Sequence, residues 1–277
     1  MHIKRKMWGL VLCACLIGVL VILSVVKNEV SRVREQWIDG VLWKYKLVNG
    51  SAMIVGIGED GLSGVLTIPS ELGTHSVTRI GDDAIEWYAR KTIALIPDIE
   101  TGTEDWGFEW HDHITSVIIP DTVKSVGERA FYYCSELTSV TIPASVTSIG
   151  TEAFGMCKLL TSVAIPNSIT SIDKLVFNYC SALTSVTIQG NVTNIGDAAF
   201  QMCISLENMA IPEDVTNIGA NAFFGCESLT SLSIPKSVTS IGDKAFSHCP
   251  HLTLVVESGS VAEQYAKENG ISFVFDK

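Results

Sequence analysis

His111-Asp112-His113, with Glu109 just upstream, places imidazole and carboxylate groups close together in sequence. In an extended His-x-His both rings share a face, which suits a divalent metal, but no third ligand is fixed beside them and no metal is assigned. His248, Cys249 and His251 form a second such group, again with no further ligand pair. Gly56-Ile57-Gly58-Glu59-Asp60-Gly61 has the letters of a dinucleotide fingerprint. The next apolar segment, Leu66-Thr67-Ile68-Pro69, reads as a strand where a phosphate site needs a helix N-terminus, so these glycines are read as a turn. An enzyme needs a cleft with convergent titratable groups. No catalytic residue and no cofactor is assigned, and the chain is expected not to be an enzyme.

One stretch concentrates charge and aromatic area. Between Asp82 and Asp112 nine acidic residues stand against Arg90 and Lys91 alone, interleaved with Trp87, Tyr88, Trp106, Phe108 and Trp110. Large rigid aromatics are favoured at interface hot spots. As a binding loop, the stretch offers Trp87, Tyr88, Trp106, Glu109, Trp110, His111 and His113 as candidate binding residues; the other reading is a looped-out coil whose aromatics patch the core and whose acids stay solvated.

The elements that hold this stretch follow from a period. Phe131, Phe154, Phe177, Phe200, Phe223 and Phe246 are spaced by 23 residues; Cys134, Cys157, Cys180, Cys203, Cys226 and Cys249 follow each Phe by three, and Leu137 opens a series six residues after each Phe. Fixed self-similarity at this length marks a solenoid. In Leu137-Thr138-Ser139-Val140-Thr141-Ile142-Pro143 the alternation predicts a short strand with Val140 and Ile142 inward, ended by proline. Gly150 opens a corner, and the residues to Phe154 predict a single helical or 3₁₀ turn. One such unit cannot bury its own apolar side, since ordering costs about 1–2 kcal/mol per residue; stacking into a parallel sheet supplies a shared core. Identical positions point the cysteines side by side into that core, and free buried thiols are expected rather than disulfides. About eight coils are expected. One of them is a decayed repeat over residues 86–113, because Ile96-Pro97 lies 23 residues before Ile119-Pro120.

The units Leu-Thr-Ser-Val-Thr-Ile-Pro, Val-Thr-Ser-Ile-Gly and Ala-Phe-x-x-Cys resemble the BspA-like leucine-rich repeats of bacterial and some protist surface proteins, over at least residues 114–252. The resemblance implies an α/β leucine-rich repeat solenoid with a parallel β-sheet face. It also implies a surface protein that mediates adhesion or protein binding, with a host matrix protein, a cell-surface protein or a glycan as partner. The alternative is a structural envelope or spacer protein with no defined ligand.

Met7 to Val26 carries no charge over twenty positions, long enough to cross a hydrocarbon core of roughly 30 Å, and Lys4, Arg5 and Lys6 precede it. This predicts a transmembrane anchor with residues 1–6 in the cytoplasm and the repeats outside. A cleaved signal peptide would give a secreted protein. Residues 27–36 read as a stalk, 37–65 as an N-terminal β-hairpin cap, 66–113 as irregular repeats, 114–257 as regular repeats and 258–277 as a helix and strand cap. Ser260 and Glu263 predict a capping box for that helix. With 47% hydrophobic residues the chain buries a core, and a net charge of −11 argues against nucleic acid, whose affinity comes from Lys and Arg neutralising phosphates.

Overall fold

A computed structural model describes residues 32–58, 63–85 and 113–276. Each regular coil has three walls. The first is the strand wall: His113–Ile118, Ser139–Thr141, Ser162–Ile165, Ser185–Ile188, Asn208–Met209, Ser231–Ile234 and Thr253–Val256 follow one another along the stack, Ser63–Thr67 preceding them. Partners run parallel and stay one period apart, Val163 beside Val186 and Ile165 beside Ile188. Alternation decides the faces: Val163, Ile165, Leu232 and Ile234 are buried while Ser162, Ser185, Ser231 and Ser233 are exposed. The second wall is a ladder of two-residue rungs, Ser125–Val126, Ser148–Ile149, Ser171–Ile172, Asn194–Ile195, Asn217–Ile218 and Ser240–Ile241, each turning its aliphatic residue inward or partly inward.

The third wall differs from the helical turn expected of it. The N–H groups of Glu152, Phe154 and Met156 donate to the carbonyls of Lys174, Val176 and Asn178 in the next coil. The alternate N–H groups, of Ala153, Gly155 and Cys157, close turns onto Gly150, Glu152 and Phe154. Glu152 (φ 56) and Met156 (φ 59) adopt the left-handed conformation that aims these donors along the stack, and the same two positions do so in successive coils. That conformation is disfavoured for residues with a Cβ; the hydrogen bonds to the next coil hold it. The repeat is thus a β-solenoid rather than an α/β unit. Gly150 begins the wall because a Cβ there would lie 2.6 Å from the amide nitrogen of Glu128 in the previous coil; in one coil Asp173 fills the equivalent position.

Phe131, Phe154, Phe177, Phe200 and Phe223 are fully buried, and with Phe246 they form a continuous stack with ring centroids 5.2–5.7 Å apart and interplanar angles of 5–15°. Such spacing, wider than the roughly 4.8 Å between strands, corresponds to offset stacking.

No rung stands between the coil ending at Ile85 and the coil beginning at His113. Leu66 pairs with Val117 and Thr67 with Ile118 on the strand wall; Arg79 pairs with Ser125 and Ile80 with Val126 on the second wall. On the turn wall Asp83 and Ile85 donate to Glu128 and Ala130. The coil ending at Ile85 is therefore hydrogen-bonded on all three walls to the coil beginning at His113. Where a regular coil joins Phe131 to Ser139 through residues 132–138, this one joins Ile85 to Ser116 through residues 86–115, a surplus of 23 residues. Because the surplus equals one period, the phase survives although no coil intervenes. Among the described residues the strand wall still has eight rungs before the cap strand, the eighth being Thr253–Val256.

Both ends are closed. At the N-terminal end β1 (Arg34–Ile38), β2 (Val41–Val48) and β3 (Ser51–Ile57) form an antiparallel meander, and β3 runs parallel to His75–Ile80. Asp39-Gly40 and Asn49-Gly50 make its turns, with all four residues at positive φ, as two-residue hairpins of this hand require. Trp43 and Tyr45 are buried over the core. The expected stalk is thus shorter, since Arg34, Glu35 and Gln36 belong to β1. At the other end α1 (Val261–Asn269) sets Tyr265 edge-on against Phe246, centroids 5.9 Å apart, and Ser272–Phe275 adds a last parallel strand. Ser260 Oγ accepts the N–H of Glu263, and Glu263 Oε2 accepts the N–H of Gly259, one residue before the donor a capping box uses. The bond from Lys267, followed by that from Gly259, holds the Glu263 carboxyl below its ordinary pKa. Ser260→Ala is expected to lower stability by about 1 kcal/mol, read as a shift in the urea midpoint with unchanged slope.

The predicted anchor, residues 7–26, lies outside the described residues. Among the described residues no helix is long and apolar enough to cross a membrane.

Candidate functional site

Trp87, Tyr88, Trp106, Glu109, Trp110 and His111 lie outside the described residues; His113 opens the strand His113–Ile118, its backbone in register with Ser63. What is fixed is the frame around them. Ile85 ends the turn wall of one coil and His113 begins the strand wall of the next, so this segment joins the solenoid at the corner between those two walls. Among the described residues no group of three or more His, Cys, Asp and Glu is placed to hold a metal ion.

On the strand wall one column of hydroxyls is committed to the fold. Thr138, Thr161 and Thr184 each donate through Oγ1 to the carbonyl of Thr115, Thr138 and Thr161, one coil back, at 2.8–3.3 Å. At the second wall another threonine column, Thr193, Thr216 and Thr239, does the same to Thr170, Thr193 and Thr216. These side chains extend the backbone ladder, leaving lone pairs rather than donors for a partner. Ser139 Oγ donates to Ser116 Oγ at 3.0 Å. Among the described residues the strand wall is mostly small and uncharged in side chain, with exposed Val65, Ile118 and Glu207 as exceptions.

The turn wall carries more distinctive chemistry, absent from the expectations drawn from sequence. Tyr133, Met156, Tyr179 and Met202 occupy one left-handed position in four successive coils. Tyr179 is 42% exposed. Around them Lys158 Nζ lies 5.7 Å from the Tyr133 ring centroid, Arg129 lies 5.6 Å from that of Tyr132 and pairs with Glu152, and Tyr132 Oη meets Met156 Sδ at 3.1 Å. Asn178 is buried and its Oδ1 occupies the space a Cβ on Gly155 would need. A signal for this column exists in the sequence: each of the four residues follows its ladder phenylalanine by two, so they share its period.

The cysteines are inert core. Cys134, Cys157, Cys180, Cys203 and Cys226 are buried free thiols and Cys249 is half-buried. Each Sγ–H from Cys157 to Cys249 donates to the carbonyl of the phenylalanine 26 residues before it, at 3.1–3.3 Å. Burial pushes the Cys180 thiol up to about 12 and the Cys249 thiol up to about 11. At these positions burial disfavours a thiolate nucleophile at neutral pH.

The family described as BspA type leucine-rich repeat region matches in six copies across residues 101–230 and 193–266. A leucine-rich cell surface protein of Faecalibacterium prausnitzii A2-165 superposes with a TM-score of 0.64 at 32% identity, over 82% of this chain and 55% of that one. This chain thus spans about half the length of that protein. A leucine-rich repeat protein of T. pallidum shares the fold, with a TM-score of 0.64 at 23% identity over 84% of this chain and 95% of that one. No curated protein matches the chain.

Proposed function

The chain belongs to the BspA type leucine-rich repeat family, and from that premise we propose that it is a membrane-anchored, extracytoplasmic binding module without catalytic activity. Three things support this. The F. prausnitzii relative is a cell surface protein, the charge-free run from Met7 to Val26 suits an anchor preceded by basic residues, and a solenoid offers extended walls rather than a substrate cleft. Contact with a protein or glycan partner is assigned to the acidic and aromatic segment, Trp87 to His113.

The observation that carries the reading is the direct bonding of the coils on either side of that segment. The fold does not use these residues as a rung, so their aromatic and acidic character is free of the ladder's demands. Deleting residues 88–110 leaves a connection of the same length as in a regular coil and removes Tyr88, Trp106, Glu109 and Trp110. The deletion is expected to raise stability by about 1.3 kcal/mol, because loop closure costs about 0.6 kcal/mol per doubling of length, while abolishing binding to immobilised matrix proteins or glycans. Thermal melts and surface binding of the fragment from Asn28 onward check both. Binding that survives the deletion moves the contact to the strand or turn wall.

A further inference from the structure

The N-terminal meander has an outer face that the core does not use. Register places Trp37 beside Leu42 and Glu35 beside Lys44 on the side opposite the buried Trp43 and Tyr45; Lys46 faces Met53 and Val48 faces Ser51 on that same outer side. Val33, Trp37 and Val48 are 45%, 57% and 37% exposed. Between Arg32 and Gly58 the chain carries Arg32, Arg34, Lys44 and Lys46 against Glu35 and Asp39, a basic balance in a protein of net charge −11. Only residues 27–33 separate this meander from Val26. At 3.3–3.6 Å per residue they span at most about 25 Å, which keeps the meander close to the layer where a bilayer meets water.

We propose that this face, centred on Trp37 with Lys46 and Val48 beside it, seats the solenoid against a lipid surface with anionic headgroups. The inference rests on the anchored reading above. Tryptophan is favoured at the headgroup level, where its apolar body and N–H are both accommodated, and basic side chains there are drawn to anionic lipid. The contact would fix the axis of the stack relative to the membrane instead of leaving it on a free tether.

The test uses the full chain in vesicles of phosphatidylcholine, alone or mixed with phosphatidylglycerol, with brominated lipid quenching tryptophan fluorescence. In mixed vesicles Trp37→Phe is expected to remove a quenched component, the other five tryptophans being common to both proteins. Lys46→Glu is expected to weaken that component by about fivefold or more, the worth of a basic residue at such a surface, and phosphatidylcholine alone to reduce it similarly. Equal quenching in wild type and Trp37→Phe overturns the proposal. So does shielding of Trp37 that grows with protein concentration without lipid, which would mean a second copy on this face. Flotation after an alkaline carbonate wash reports the anchor separately: a chain stripped by the wash yet quenched through Trp37 at low salt overturns the anchor and keeps the face.

Discussion

Raising the pH from about 9 towards 11 is expected to unfold the solenoid steeply, although nothing in its surface charge demands it. The cause is the thiol column. An unfolded cysteine ionises near pH 9.0, whereas burial raises Cys180 to about 12 and raises Cys203 and Cys226 as well. For Cys203 the neighbouring Cys180 and Cys226 add to the burial effect, because adjacent thiolates would repel. Ionisation would also remove the proton that each Sγ donates to a phenylalanine carbonyl one coil back. The folded thiols thus hold protons that the unfolded chain releases. The stability they contribute is complete below pH 9 and is lost as pH rises through the interval up to their folded pKa values. Each such thiol lowers stability by up to ~1.4 kcal/mol per pH unit, so these three together give about 4 kcal/mol per unit. Cys249, more open to solvent, adds less. Domains of ordinary stability, about 5–15 kcal/mol, would unfold within a few pH units on that slope. Urea midpoints in reductant at pH 7, 8, 9 and 10 measure it. A flat profile through pH 10, or a slope unaltered when Cys180, Cys203 and Cys226 are all replaced by alanine, would defeat the argument.

How much of this is visible in the sequence depends on whether a feature is carried by the period. The Phe131 to Phe246 series, the cysteines three residues behind it and the strand alternation all are, because stacked identical coils put identical demands on each position. The same reliance on period misreads residues 86–113. An insertion of one repeat length preserves every downstream spacing, and it is pairings such as Leu66 with Val117 and Arg79 with Ser125 that reveal that no rung lies between. The turn wall is misread for a different reason. Short segments of Ala, Phe and polar residues are compatible with a helical turn, and the choice of left-handed Glu152 and Met156 is made by carbonyls 22 residues further along, not by local propensity. The strand β1 does carry a local signal, Asp39-Gly40 between two alternating runs, equal in kind to the Asn49-Gly50 turn that predicts the hairpin. The candidate contact residues have composition as their only signal. No periodic or turn chemistry marks how Trp87 or Trp110 is presented, so their proposed role stands on charge, aromatic content and the frame from which they depart.

Replacing Phe177 by alanine is expected to cost about 3–5 kcal/mol, the range for a fully buried aromatic whose neighbours cannot collapse into the space. Collapse is prevented here by geometry. Phe177 sits between Phe154 and Phe200 at 5.7 and 5.6 Å, and each of those rings is held by its own coil's hydrogen bonds to the next. Closing the gap would require two coils to approach each other, which the ladder spacing on three walls forbids. Since coils contact only their neighbours, the cavity weakens two interfaces in the middle of the stack and leaves the remaining ones intact. Unfolding is then expected to lose cooperativity: Trp43, buried in the N-terminal cap, should report a urea transition distinct from that of far-ultraviolet circular dichroism, whereas the two coincide in the unmodified chain. Phe246→Ala is the matched control. Its ring has one phenylalanine neighbour and the edge of Tyr265, so the loss falls at one end and the transitions stay together. A cost below about 1 kcal/mol at Phe177, or equal costs with a single transition for both variants, would mean that the phenylalanine stack is not the continuous spine that couples one coil to the next.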